Sequence, residues 1–302
     1  MTGLVIRPLT EGEESLFESL PDPALVGFGA FGERYSDMAA GGGYRPEWTW
    51  VALHDGAVVA RAAWWGSPDD DEPSVLDWFD FTDAGAAVQL LRTAPPRTEY
   101  SLRLPPGWRD SPAVARAAQA RIAAAQEAGM TLLVERYRYC WTPECGVPTA
   151  LGRLEFRPEP DDGMILDVFR RVHGSTLDAH ARRAVAASGL DAAAREDLDF
   201  LRWMPSPREW WRLAYTPAGD LVGLAAPCRN YNDPVIGYIA VVPEQRGRGY
   251  AYDLLAEATR LLAAEGADRI VAATDVTNLP MAATFAKARY PVAMHRIDLV
   301  YP

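Results

Sequence analysis

The chain has 302 residues, 49% of them hydrophobic, enough apolar material for two cores or one large one. Its 41 acidic side chains outnumber 30 basic ones, a formal charge of −11, and a surface of that sign repels nucleic acid and anionic membranes. Neither is expected as a partner, no apolar run has the length of a membrane helix, and three cysteines (Cys140, Cys145, Cys228) without a second pair or a histidine cluster predict packing thiols in a reduced, cytoplasmic protein with no metal.

In chain order, Leu4-Val5-Ile6-Arg7-Pro8 reads as a strand, and an acidic segment with helical spacing comes next around Leu16 and Leu20. Residues 50–60 read as a hairpin closed by Asp55-Gly56. A strand at 75–81, a short helix at 86–91, a strand at 100–104, an alanine-rich helix at 113–128 and a long strand at 132–141 continue the order. Residues 143–148 form a short connector marked by proline and glycine. Then the order starts again. Leu154-Glu155-Phe156-Arg157-Pro158 repeats the opening strand at an offset of 150, residues 164–201 are helical with a break near Ser188-Gly189, and 212–225 form a second hairpin around Ala218-Gly219-Asp220. Glu209-Trp210-Trp211 leads into that hairpin; the two tryptophans read as core, lid or acceptor-site wall. These echoes imply an internal duplication.

The most informative stretch comes after the second hairpin. Residues 235–242 are an apolar strand, stopped by Pro243, and Tyr250 opens a helix that carries Leu254, Leu255, Ala258, Leu261 and Leu262 at helical spacing. Between them lies Glu244-Gln245-Arg246-Gly247-Arg248-Gly249. A strand, a glycine turn and a helix N-terminus aim backbone N–H groups and a positive dipole end at one point, which suits a phosphate or diphosphate. A nucleotide P-loop needs Lys then Ser/Thr after its last glycine, and neither is present. A dinucleotide fingerprint needs a glycine where Tyr252 stands. The first 150 residues hold 12 basic and 21 acidic side chains and the remainder 18 and 20, so the loop lies in the less acidic half.

Arg246-x-x-Gly249-x-Ala251, with its lead-in Val241, Pro243, Arg246 and Gly247, resembles the acyl-coenzyme A diphosphate loop of the GNAT acetyltransferases. A second motif agrees. Asn278, with Met281, Phe285 and Tyr290 three, seven and twelve positions later, is similar to the helix that lies beside coenzyme A in that family. Two departures stand out: Phe285 occupies the place of the family's usual catalytic tyrosine, and Arg289 the place of a glycine. The first half shares only the element order, and its turn Thr82-Asp83-Ala84-Gly85-Ala86 lacks the motif.

The resemblance implies an α/β (α+β) protein of two GNAT-like repeats, each a mixed, mostly antiparallel sheet flanked by helices. Residues 1–149 would be a degenerate repeat without the loop, and 150–302 a repeat that binds acetyl-CoA. It implies that backbone amides of Ala240, Val241 and Val242 hold the acyl and pantetheine arm. The loop residues Arg246, Gly247, Arg248, Gly249, Tyr250 and Ala251 would take the diphosphate, with Asn278 and Phe285 on the cofactor side. Direct attack by a small amine would need no covalent enzyme intermediate, and Cys228, the nearest cysteine, reads as a buried thiol. For the base, Tyr231, Asn232 and Asp233 lie in the turn before the strand, and Asp233 could act through water, although turn chemistry also explains Asn232-Asp233-Pro234. His173, Asp178 and His180 fall on the helical roof, Glu244 beside the loop, and His54 and His295 near a turn and the C-terminal strand. The expected activity is N-acetyl transfer by a monomer or homodimer; the alternative is a non-catalytic acyl-CoA sensor or scaffold.

Overall fold

The computed structural model describes residues 3–67, 69–230 and 232–302. They form two compact units: Met1–Glu135 with Met294–Pro302, and Arg136–Ala293.

The first unit contains β1 (Val5–Pro8), α1 (Glu14–Glu18), α2 (Tyr35–Ala39), β2 (Thr49–His54), β3 (Ala57–Trp65), β4 (Val75–Phe81), α3 (Ala84–Thr93), β5 (Glu99–Leu104) and α4 (Pro112–Glu127). Strands β1 to β4 form an antiparallel meander, β5 joins β4 in parallel, and the C-terminal strand β12 (Val292–Val300) pairs antiparallel with β5 from His295 to Leu299. The β2–β3 turn puts Asp55 and Gly56 at φ 52° and 80°, the left-handed pair that a two-residue hairpin turn requires. Trp64, Leu90, Leu91, Tyr100 and Leu102 are buried in its core.

Strand β6 (Thr131–Trp141) carries the chain into the second unit, where residues 136–141 pair antiparallel with β11 (Ile270–Asp275). That unit continues with β7 (Glu155–Pro158), α5 (Asp162–His173), α6 (Ala179–Ser188), α7 (Leu190–Trp203), β8 (Arg212–Tyr215), β9 (Leu221–Arg229), β10 (Pro234–Val241), α8 (Tyr250–Ala264) and α9 (Leu279–Lys287). The element order β–α–α–β–β–β–α–β–α–β of the first unit recurs with an additional roof helix. Each unit takes its last strand from the other half of the chain, so the compact bodies do not divide at residue 149. The chain enters the second at Arg136 and leaves it at Met294. The single helix break expected near 188 is joined by another: Gly174 ends α5, and the Asp178 side chain accepts from the Ala181 amide to start α6. Trp210 and Trp211 pack in the second core with Ile165, Phe169, Leu255 and Leu262. Among the described residues no helix is long and apolar enough to cross a membrane.

Candidate active site

The site begins with a strand that loses its neighbour. On one side β10 pairs with β9 from Pro234↔Arg229 to Val241↔Gly223, with a bulge between Ile236 and Tyr238. On the other side β10 and β11 run parallel but share one register point, Val235↔Val271, near their starts. From there the two strands part. Glycine is demanded at the bulge, because a Cβ on Gly237 would stand 2.7 Å from the Cys228 Sγ. Glycine is demanded again on β9, where a Cβ on Gly223 would lie 2.0 Å from the Ala240 carbonyl oxygen.

This ladder decides which amides are available. The Val242 N–H donates to the Val222 carbonyl at 2.9 Å. Antiparallel pairing alternates, so the Ala240 N–H points to β9 as well, while those of Ile239 and Val241 point to the side that β11 has left. Of the three amides expected from the sequence, Ala240 and Val242 are therefore turned into the sheet. Ile239, which the family motif does not single out, joins Val241 on the open side.

Past Val241 the chain makes a 3-10 turn over Pro243–Gln245 and enters the glycine loop. Gly247 and Gly249 sit at φ 78° and 74°, left-handed conformations that strain any residue with a Cβ. Gly249 is the N-cap of α8 and has no side chain to cap it, so the Tyr250 and Ala251 amides stay available to an anion, while the Tyr252 amide donates back to the Gly249 carbonyl at 3.2 Å. The Arg246 Nε donates to the Val241 carbonyl at 3.2 Å and its Nη1 to the Ser175 carbonyl and hydroxyl at 3.1 and 2.8 Å, which ties the loop to the α5–α6 connection. Arg248 is exposed, and Tyr250 and Ala251 are half-buried at the helix start. A second arginine, invisible to the motif, grips the loop from behind. Arg153 donates to the Arg248 and Gly249 carbonyls at 3.0 and 3.1 Å and pairs with the buried Asp253 carboxylate.

Asn278 caps α9 by accepting from the Met281 amide at 3.3 Å. Phe285 does not reach the open side. It is 1% exposed and stacks on Tyr139 at 4.2 Å between ring centroids, with Tyr290 at 5.4 Å. Its apolar ring satisfies the core, so the structure assigns it packing where the sequence placed it at the cofactor. Tyr290 is buried too, its hydroxyl 2.6 Å from that of Thr259. Arg289, which stands where the family has a glycine, takes φ 60°, a left-handed conformation that strains a residue with a Cβ.

The titratable groups divide between two places. Asp233 lies beyond the paired start of β10, about 25 Å of strand from the loop. It is buried and held by Arg269 and, at 3.9 Å, by Arg138, while Asn230 Oδ1 accepts the Asn232 and Asp233 amides to form the turn. That is a structural ion pair outside the opening between the strands. Tyr231 lies outside the described residues. At the other end of β11, Asp275 is 1% exposed: its Oδ1 is 3.2 Å from the Arg136 Nε and its Oδ2 accepts the Ala179 amide at 2.7 Å. Arg136 also meets Asp178 Oδ2 at 3.2 Å and His180 Nδ1 at 3.4 Å. Burial, reinforced by the Asp178 charge, raises the Asp275 carboxyl above its ordinary value against the pull of Arg136. Tyr238, just past the bulge, meets Phe169 edge-on at 4.7 Å, and burial raises its phenol well above the ordinary value. Burial likewise pushes the Cys228 thiol up to about 12, which makes it inert as a nucleophile at neutral pH. His173 is buried against Phe169 with its Nε2 3.0 Å from Asp197, and Glu244 is exposed and pairs with Arg171 at 3.0 Å. His54 is exposed at the end of β2, and the His295 Nδ1 lies 2.8 Å from Glu135 in the first unit.

Residues 180–289 match the acetyltransferase (GNAT) family model. That stretch, a little over a third of the chain, is similar to a GNAT acetyltransferase domain. Among solved structures, a GCN5-related N-acetyltransferase from Sphaerobacter thermophilus is similar over 98% of this chain and 94% of its own, at 13% identity and a TM-score of 0.57. A glucosamine N-acetyltransferase region of a fungal multi-domain GH3 β-N-acetylglucosaminidase is similar over 99% of this chain and 38% of its own, at 11% identity and a TM-score of 0.52. Identities this low speak for fold alone, and the fold they share extends over both GNAT-like repeats. A search of curated proteins found no match.

The GNAT motif lent the loop residues and Asn278 to sequence reading because they are local. Arg153, Ile239 and the Asp275–Arg136 pair escaped it. Which amide faces outward depends on ladder register, and Arg153 meets its partners across 95 to 100 residues of chain.

Proposed function

We propose that the second unit binds acetyl-CoA in the opening between β10 and β11 and transfers its acetyl group to a small amine by direct attack. The observation that carries this reading is the parting of two parallel strands beside an uncapped helix N-terminus entered through two left-handed glycines. A thioester arm with a diphosphate tail matches that combination: the tail takes the first-turn amides of α8, and the arm takes strand amides in place of the absent neighbour. Val241 and Ile239 hold the arm and polarise the carbonyl. The loop from Arg246 to Ala251 holds the diphosphate, and Asn278 fixes the start of α9 on the cofactor side.

The amine nitrogen bonds to the carbonyl carbon, the C–S bond breaks with its electron pair on sulfur, and the proton lost by nitrogen ends on that sulfur. Asp178, Asp275 and His180 give the α6 side a negative potential suited to a cationic amine and a place for its first proton. The buried Cys228 thiol takes no part.

One observation favours a second reading, a non-catalytic acyl-CoA sensor. Phe285 carries no acid, and the nearby Tyr290 hydroxyl is committed to Thr259 in the core. Titration calorimetry with acetyl-CoA and a free-thiol assay over an amine panel separate the readings. Transfer predicts thiol release that depends on amine, the sensor predicts saturable binding without thiol, and absence of binding by any CoA species removes both. Ligand at a hundredfold over its Kd also adds about 2.7 kcal/mol to thermal stability.

A further inference from the structure

Arg153 stands in the segment before β7, away from every motif, and its side chain is 39% exposed. Its contacts converge on the entry to α8. Its Nη1 donates to the Arg248 carbonyl at 3.0 Å, its Nη2 to the Gly249 carbonyl at 3.1 Å, and its Nε and Nη2 reach Asp253, with the guanidinium 5.0 Å from the Tyr250 ring centroid.

In a trans peptide the C=O and the N–H lie in one plane and point in opposite directions. Holding the Arg248 carbonyl therefore turns the Gly249 N–H away from Arg153, and holding the Gly249 carbonyl, together with the Tyr252 amide that donates to it at 3.2 Å, turns the Tyr250 N–H the same way. Two carbonyl dipoles that would repel an anion are drawn to the back of the loop, and two amides are pointed out of its front. Gly249 has the conformational freedom to let this happen. The same guanidinium neutralises Asp253, a 4% exposed carboxylate in the first turn of α8, whose charge would otherwise oppose a diphosphate at that helix end.

We propose that Arg153 is a positioning residue for the anion loop: it presets the Gly249 and Tyr250 amides and cancels Asp253. The proposal rests on the coenzyme A reading of the site. It makes the loop ready before ligand arrives, which spares the ordering cost of binding.

The test compares Arg153→Lys and the double variant Arg153→Gln with Asp253→Asn against the wild-type chain. The double variant leaves no buried charge unpaired, and Lys keeps a cation beside Asp253 but cannot bridge two carbonyls and a carboxylate with one planar fork. Calorimetry with coenzyme A should show Kd rising about tenfold in the double variant, the effect of misaimed charge-assisted hydrogen bonds, and severalfold in the Lys variant. The 31P resonances of the bound diphosphate should move toward their free positions, while binding of pantetheine, which has no diphosphate, stays within twofold. Wild-type Kd and unmoved resonances in both variants overturn the proposal. So does an equal loss for pantetheine, which marks general damage. A wild-type chain that binds pantetheine or coenzyme A not at all overturns the coenzyme A reading itself and is distinct from either result.

Discussion

Both units part a pair of parallel strands, and only one leaves the opening free for an anion. In the first, β4 and β5 share register at Val75↔Glu99 and Leu76↔Tyr100, and in the second, β10 and β11 share it at Val235↔Val271. The units differ in how the next helix begins. After β4 the Asp83 carboxylate accepts the Ala86 amide at 2.9 Å and so caps α3 with its own negative charge, whereas Gly249 leaves α8 uncapped. Beside β4, Arg121 of α4 donates to the Phe79 carbonyl at 3.1 Å and to Asp80 at 2.8 Å. Asp80 also pairs with Arg61 at 3.0 Å, and Asp22 closes the group at 3.5 Å from Arg121. All of these side chains are at least nine-tenths buried. The same topology thus carries opposite instructions: beside β4 a buried charge group holds the Phe79 carbonyl and an acidic cap closes α3, and beyond β10 the helix N-terminus is left uncapped.

The largest expected effect tests the buried charge group. Asp80→Ala leaves Arg61 and Arg121 buried with Asp22 alone, and breaking a buried ion network by removing one partner costs about 3–5 kcal/mol. Chemical denaturation should show that loss in the first unit, and calorimetry should still give one coenzyme A per chain with unchanged Kd. A second bound coenzyme A in the variant would mean the charge plug alone kept the first opening empty.

Next comes the uncapped helix. Gly249→Val puts a β-branched residue at φ 74°, where strain is on the order of 1–3 kcal/mol, and reorients the helix entry. Coenzyme A affinity should fall by roughly a hundredfold, about 2.7 kcal/mol, while far-ultraviolet circular dichroism stays native. Unaltered affinity would take the loop out of the site.

The second opening is legible in the sequence because its signals are consecutive: an apolar strand, a stopping proline, two spaced glycines, then helical periodicity beginning at Tyr250, where α8 starts. The recurrence of the element order is legible for the same reason, from hairpin turns and an Arg-Pro echo. How each unit gains its last strand is not, since the pairing of β12 with β5 joins residues nearly 200 positions apart. Nor is the charge plug, whose members come from a loop, two strands and a helix. The true place of Phe285 is hidden because spacing from Asn278 says only where a residue falls in a motif, while packing of Tyr139 and Tyr290 around its ring decides which way it faces.

The buried Phe285 ring yields a smaller, sharper test. If Phe285 faced the cofactor, Phe285→Tyr would supply an acid and raise turnover. In the observed core the new hydroxyl is buried between Tyr139 and Tyr290, and an unpaired buried hydroxyl costs about 1–3 kcal/mol. The variant should melt lower and show no gain in amine-dependent thiol release; a gain would place the ring at the site after all.

The smallest effect separates the two causes of the first unit's silence. Asp83→Gly removes the carboxylate cap of α3 and copies the glycine N-cap of α8, and replacing an N-cap residue by glycine costs only a few tenths of a kcal/mol. Stability should scarcely change. Coenzyme A stoichiometry should stay at one, because the freed amides of α3 would face an opening in which Arg121 already holds the Phe79 carbonyl and Asp80. Combining Asp83→Gly with Arg121→Met should still give no second site, since the first turn of α3 lacks the left-handed glycines and the arginine clamp that aim amides in the second unit. Binding by that double variant would show that an open strand and an uncapped helix suffice, and that loop preorganisation is dispensable.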